Sequence, residues 1–158
     1  MKKITFILLI GLITIVSGCK ETQPLDEIEI KNFIMEYKSL IYNVNYKALP
    51  KYKELEEKLR PLISEDIFEQ NKKNGIYMLP SSFASENNSN IKLEDIEVTG
   101  VTYSKGEKKY EVKYALFLII DNVSYVKKGR MHLISKEKNI LITYDWETPI
   151  DVGSKNFN

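Results

Sequence analysis

Near residue 90 the spacing of apolar residues along this chain changes from three and four to two. Before that point Ile30, Phe33, Ile34, Tyr37, Leu40, Ile41 and Val44 recur with the helical period. Lys31, Asn32, Glu36, Lys38 and Ser39 fall mostly on the other side of the same helix, expected over residues 26–45. After residue 90, apolar and polar residues alternate in four runs: Ile91 to Tyr103, Lys109 to Ile120, Val123 to Ser135 and Ile140 to Glu147. Helices first and an antiparallel meander second is an α+β order, because a doubly wound sheet needs the two in alternation. The expected architecture is therefore N-terminal helices packed on a curved four-stranded antiparallel sheet.

Local signals place the boundaries. Asp26 and Glu29 have the spacing of a capping box, with Leu25 and Ile30 set for a hydrophobic staple. Pro50 suits the first turn of a second helix whose apolar face is Tyr52, Leu55 and Leu59, and Pro61 ends it. Ser64 caps a shorter third helix through Ile67 and Phe68, stopped at Lys72-Lys73-Asn74-Gly75. Residues 80–90 are rich in Ser and Asn and read as a loop. Asp121-Asn122 is short enough for a two-residue hairpin turn, since both residues tolerate positive φ. The second strand has Tyr110, Val112, Tyr114, Leu116, Leu118 and Ile120 on one face, while Ala115, Phe117 and Ile119 make the end of its other face apolar as well. A strand of that kind is covered on both sides, by helix on one and by a loop or partner on the other.

The amino end is a different kind of segment. Met1-Lys2-Lys3 precedes an apolar run from Ile4 to Val16, the n-region and h-region of a secretory signal. The run is shorter than the roughly 20 residues of a bilayer-spanning helix. Val16-Ser17-Gly18-Cys19 resembles the lipobox of bacterial lipoproteins, an aliphatic residue and two small ones before a cysteine. That resemblance implies diacylglyceryl transfer to the Cys19 sulfur, cleavage between Gly18 and Cys19, and a new amine open to acylation (palmitate or a similar chain). It implies a protein held by lipid at the outer face of the bacterial cell membrane. Two or more acyl chains give stable anchoring where one is marginal. The expected organisation is a removed signal peptide at 1–18, a lipidated tether at 19–24, one α+β domain at 25–148 and a polar, frayed tail at 149–158. Cys19 is the only cysteine, so its lipidation leaves no thiol for a disulfide, a metal or nucleophilic chemistry. Loss of Lys2 and Lys3 takes the formal net charge from +1 to −1, which gives no basic excess for nucleic acid.

The order of elements, the stretch Leu59-Arg60-Pro61-Leu62-Ile63-Ser64-Glu65-Asp66-Ile67-Phe68 and Trp146 near the end of the last strand resemble the nuclear-transport-factor-two-like family. A cystatin-like helix-on-sheet domain is the alternative. The resemblance implies a cone-shaped α+β roll. Its relatives include enzymes, ligand binders, subunits of secretion and conjugation machines and dimerisation modules, so the fold leaves function to the site.

The sequence offers few catalytic groups. His132 is the only histidine, and Asp145 on the next strand is the carboxylate best placed to make it a general base in a small hydrolase or isomerase. Asp95, Glu97, Asp145 and Glu147 read otherwise as outward strand residues. Tyr114, Tyr125, Tyr144 and Trp146 are the aromatics of the β half that could line a concave ligand pocket or an interface. Lys127, Lys128 and Arg130 read as a solvated edge with Gly129 as a bulge. One histidine and no free cysteine point to no metal site, and no phosphate loop or cofactor motif is present. These residues favour a non-enzymatic module that binds a ligand or a protein, or a second copy of itself, through the sheet; a secretion or conjugation component and a His132 enzyme are the alternatives.

Overall fold

A computed structural model describes residues 25–136, 139–152 and 155–157. The signal segment, Gly18, Cys19 and the tether lie outside the described residues. Helix α1 spans Glu27–Tyr42, and its capping box forms as the spacing predicts, Glu29 N donating to Asp26 Oδ1 at 2.7 Å and Asp26 N to Glu29 Oε2 at 3.0 Å. The helix stops at Tyr42, before the expected residue 45, because the next residues are recruited by the sheet. Val44 pairs with Ile91 through two 2.9 Å backbone bonds, and Asn43 Oδ1 accepts from Leu93 N.

Helix α2 (Tyr52–Leu59), a 3₁₀ turn at Arg60–Leu62 and helix α3 (Glu65–Lys73) follow the predicted order. Arg60 ties the last two together, pairing with Glu65 and Glu69 and lying 4.2 Å over the Phe68 ring. The stretch read as a loop is instead helix α4, Leu79–Asn87, entered through a 3₁₀ turn at Ile76–Met78. Its serines are poor helix formers, but Pro80 lies in its first turn, where no N–H is needed, and Asn88 closes it in the left-handed region. Fully buried Ala84 shows that packing carries this helix where propensity does not.

Strands β1 (Ile91–Ser104), β2 (Lys109–Ile120), β3 (Val123–Lys136) and β4 (Asn139–Glu147) form one antiparallel sheet in sequence order. Asp121 and Asn122 both have positive φ, as a tight primed turn requires. After Pro149, Ile150–Val152 (β5) and Lys155–Phe157 (β6) pair with each other where fraying was expected; Ile150, Val152 and Phe157 are strand formers in an otherwise polar segment.

Three register shifts curve the sheet. Two lie in β1, between Leu93 and Asp95 and between Val98 and Gly100, and the apolar residues change phase with them: Ile91 and Leu93, then Ile96 and Val98. The third lies in β4. His132 pairs with Tyr144 but Leu133 pairs with Ile142, leaving Thr143 as an extra residue. Buried side chains of the helices and of the sheet's inner face form one core, in which Ile30, Ile34, Leu59, Phe68, Ile96, Leu116 and Leu133 are inaccessible to solvent.

Candidate functional site

The Thr143 bulge decides which side chains the cone receives. Side chains alternate along a strand, so one inserted residue exchanges the faces of everything beyond it. Strict alternation would put Tyr144 and Trp146 in the core with Ile142, and Asp145 and Glu147 in water. The structure does the reverse. Asp145 and Glu147 point into the cone with side chains 10 % exposed, while Tyr144 and Trp146 are 39 % and 52 % exposed on the outer face.

Two lysines meet these carboxylates. Lys38, assigned by the sequence to the polar side of α1, is 2 % exposed, and its Nζ lies 2.5 Å from both Asp145 Oδ2 and Glu147 Oε1. Lys127, read as part of a solvated edge, is as deeply buried on β3, 3.1 Å from Glu147 Oε2. Three tyrosine hydroxyls complete the set. Tyr37 donates to Asp145 Oδ2 at 3.1 Å, Tyr114 to Asp145 Oδ1 at 2.7 Å and Glu147 Oε1 at 3.2 Å, and Tyr42 to Glu147 while accepting from Lys127. The cluster carries two positive and two negative charges, each carboxylate oxygen bonded inside the protein. Gly129 makes it possible. It is not a bulge: it pairs with Tyr114 in an unbroken β2–β3 register, and the Tyr114 ring occupies the space above it that a side chain would take.

A cavity of about 220 Å³ opens beside the cluster, with Ile41, Ile76, Leu79, Pro80 and Trp146 as its apolar rim. That is smaller than the few hundred cubic ångströms typical of a ligand pocket. Its charged wall is already matched internally, so an entering polar group must displace an existing bond.

The other candidates do not gather here. His132 lies on the outer face, its ring 4.8 Å from Tyr144 and its backbone paired with Glu111 and Tyr144. Asp145, its proposed carboxylate, is on the inner face, so the sheet separates them. Tyr114 is fully buried and Tyr125 packs half-buried against the core, whereas Tyr144 and Trp146 are exposed; Tyr114 and Trp146 border one depression in the sheet, and Tyr125 and Tyr144 lie outside it. Among the described residues no group of three or more His, Cys, Asp and Glu side chains is placed to hold a metal ion. None of the described helices is long and apolar enough to cross a membrane.

The cluster fixes the response to pH. Burial pushes the Glu147 carboxyl up, but Lys38 and Lys127 outweigh it and hold the group down at about 2, against 4.5 for a free glutamate. A depressed carboxyl contributes stability that is present above 4.5 and lost as the pH falls towards 2, here roughly 3 kcal/mol. At the other end, burial and the neighbouring carboxylates push Tyr37, Tyr42 and Tyr114 well above 10; Lys38 is raised above 10.5 because its carboxylates overcome the effect of burial. Raised groups contribute stability that is complete below their unfolded values and lost on further alkalinisation. Urea unfolding across pH is therefore expected to give a plateau from about 5 to 10 with a fall on either side. A stability maximum near pH 3 would contradict it.

No family model matches the chain, and no curated protein matches it in sequence. Solved structures do match. An IcmL-like type IV secretion system protein from Legionella pneumophila superposes with a TM-score of 0.58 at 12 % identity, over 84 % of this chain and 99 % of that one. The periplasmic domain of DotI gives 0.54 at 7 % identity, over 82 % and 99 %. The Ntf2-like, potential transfer protein TraM from the Gram-positive conjugative plasmid pIP501 gives 0.52 at 17 % identity, over 81 % and 100 %. The fold is the nuclear-transport-factor-two-like roll. In this roll the concave mouth is occupied by a self-paired ionic cluster, and the exposed aromatics lie on the outside of the sheet.

Proposed function

We propose that the chain is a lipid-anchored extracytoplasmic component of a secretion or conjugation apparatus, a non-enzymatic module that binds a protein partner through the outer face of its sheet. The observation that carries this is the Thr143 bulge: it spends the polar groups of the cone on one another and turns Tyr144 and Trp146 towards solvent. Exposed aromatics on a rigid sheet are the anchors interfaces favour. Structural similarity to transfer and secretion proteins supports the setting. The lipobox at Val16 to Cys19 supports the anchor, and the short tether would hold residues 25–148, as one domain, close to the membrane.

Two measurements test it. A fatty-acid analogue is expected to label the chain and to miss Cys19→Ala; equal labelling of both removes the anchor. Extracted from membranes in mild detergent, the chain is expected to sediment as part of a larger assembly, and Tyr144→Ala with Trp146→Ala to sediment alone with an unchanged circular dichroism spectrum. Both side chains are exposed, so their loss costs little stability, about 0.5 kcal/mol each. An assembly unaffected by the pair removes the outer face as the partner surface.

A further inference from the structure

Beside Trp146 the outer face breaks a rule of sheet packing. Lys113 on β2, Arg130 on β3 and Trp146 on β4 are direct neighbours in register, which sets two cations side by side across a strand pair. Lys128 is two residues from Arg130 on the same face and also exposed. Like charges directly opposite destabilise a sheet. The compensation within the described residues is slight, Glu111 approaching Arg130 at 3.6 Å. The three cations border a depression of about 420 Å³ whose lining also includes Ala115, Gly129 and Trp146. We infer that this depression receives an acidic segment of the partner protein, extended and alternating carboxylate with apolar side chains. Carboxylates would sit between Lys113, Arg130 and Lys128, relieving their repulsion, while an apolar side chain covers Ala115 against the indole. The spacing suits an extended chain, since cations across a strand pair and two residues along one lie about 5 and 7 Å apart, close to the repeat of side chains on one face of a strand. The inference rests on the reading of the outer face as a partner surface and adds the chemistry of what meets it.

Trp146 is the only tryptophan, so its emission reports on the depression directly. The full chain in neutral detergent is titrated with the capped peptide Glu-Leu-Glu-Leu-Glu and, separately, with Lys-Leu-Lys-Leu-Lys. A saturable blue shift is expected with the acidic peptide alone. It should weaken with salt, as exposed charge pairs do, and by about tenfold or more in Lys113→Gln with Arg130→Gln. Lys128→Gln, a milder change outside that pair, should weaken it less and guards against a double variant that fails to fold. Equal shifts with both peptides, or no shift with either, would overturn the inference. So would a shift produced only by phosphatidylglycerol vesicles, which points to a membrane, or one produced only by raising the protein concentration, which points to a second copy. If Tyr144→Ala with Trp146→Ala frees the chain from its assembly while the acidic peptide is ignored, the partner surface stands and its acidic chemistry falls.

Discussion

Gly129→Ala is expected to be among the most damaging single-methyl additions in this protein, because the methyl would lie 2.2 Å from Tyr114 Cζ and 2.5 Å from its hydroxyl oxygen. Atoms at that distance overlap, and the obstacle is a ring locked in place at its far end. Tyr114 is fully buried and its hydroxyl bridges Asp145 and Glu147, so the ring cannot retreat without breaking bonds to both carboxylates. Overpacking a core costs about 1–3 kcal/mol, and hydrogen bonds to charged groups contribute about 1.5–3 kcal/mol. Together they predict a loss of about 4 kcal/mol and a melting point lower by roughly 8–16 °C. The backbone of residue 129 sits in an ordinary strand, so no special dihedral requirement confuses the result. Tyr114→Leu in the same chain should recover part of the clash, and thermal melts of the single and double variants measure that coupling. A melting point within two degrees of wild type for Gly129→Ala alone would show that the ring is not held there.

The elements of the roll were legible because each has a local cause. The 3.6 and 2.0 periods, the Asp26–Glu29 box and the Asp121-Asn122 turn are all written within a few residues of where they act. Helix α4 was missed because burial of Ala84, a tertiary fact, outweighs the poor propensity of its serines. The ionic cluster was missed for a sharper reason. A period-two reading of β4 has no means of showing that Thr143 is an extra residue, since the bulge exists only relative to β3, and every face assignment after it inverts. One signal was available. Ile30, Ile34, Lys38 and Tyr42 follow one another at steps of four, so Lys38 stands on the buried row of α1. A lysine on that row calls for an anion opposite it, and β4 supplies two. Gly129 was equally informative: a glycine inside a strand run signals close approach as readily as a bulge.

Lys38→Met tests whether the cluster is a mutual arrangement of charges or a set of separate contacts. Methionine keeps most of the stem but leaves Asp145 and Glu147, both in the cone, with Lys127 as their remaining cation. Removing one partner of a buried pair costs about 3–5 kcal/mol, and here it leaves two buried carboxylates to share one cation. The pH dependence separates that cause from a mere packing defect. In the wild type Lys38 contributes the largest opposing charge that keeps Glu147 low, so stability declines as the pH falls below 4.5. Without Lys38, burial and the neighbouring carboxylate both favour the protonated acid, the folded chain takes up a proton before the unfolded one does, and acidification from neutral pH stabilises the variant. Urea unfolding near pH 7 and near pH 3.5 should therefore give stability changes of opposite sign for the two proteins. Adding Asp145→Asn restores one cation to one carboxylate and should recover part of the loss at neutral pH. Parallel pH slopes, or a loss under about 1 kcal/mol, would mean that Tyr37, Tyr42, Tyr114 and Lys127 satisfy the carboxylates unaided, and that Lys38 is a bystander in the cone.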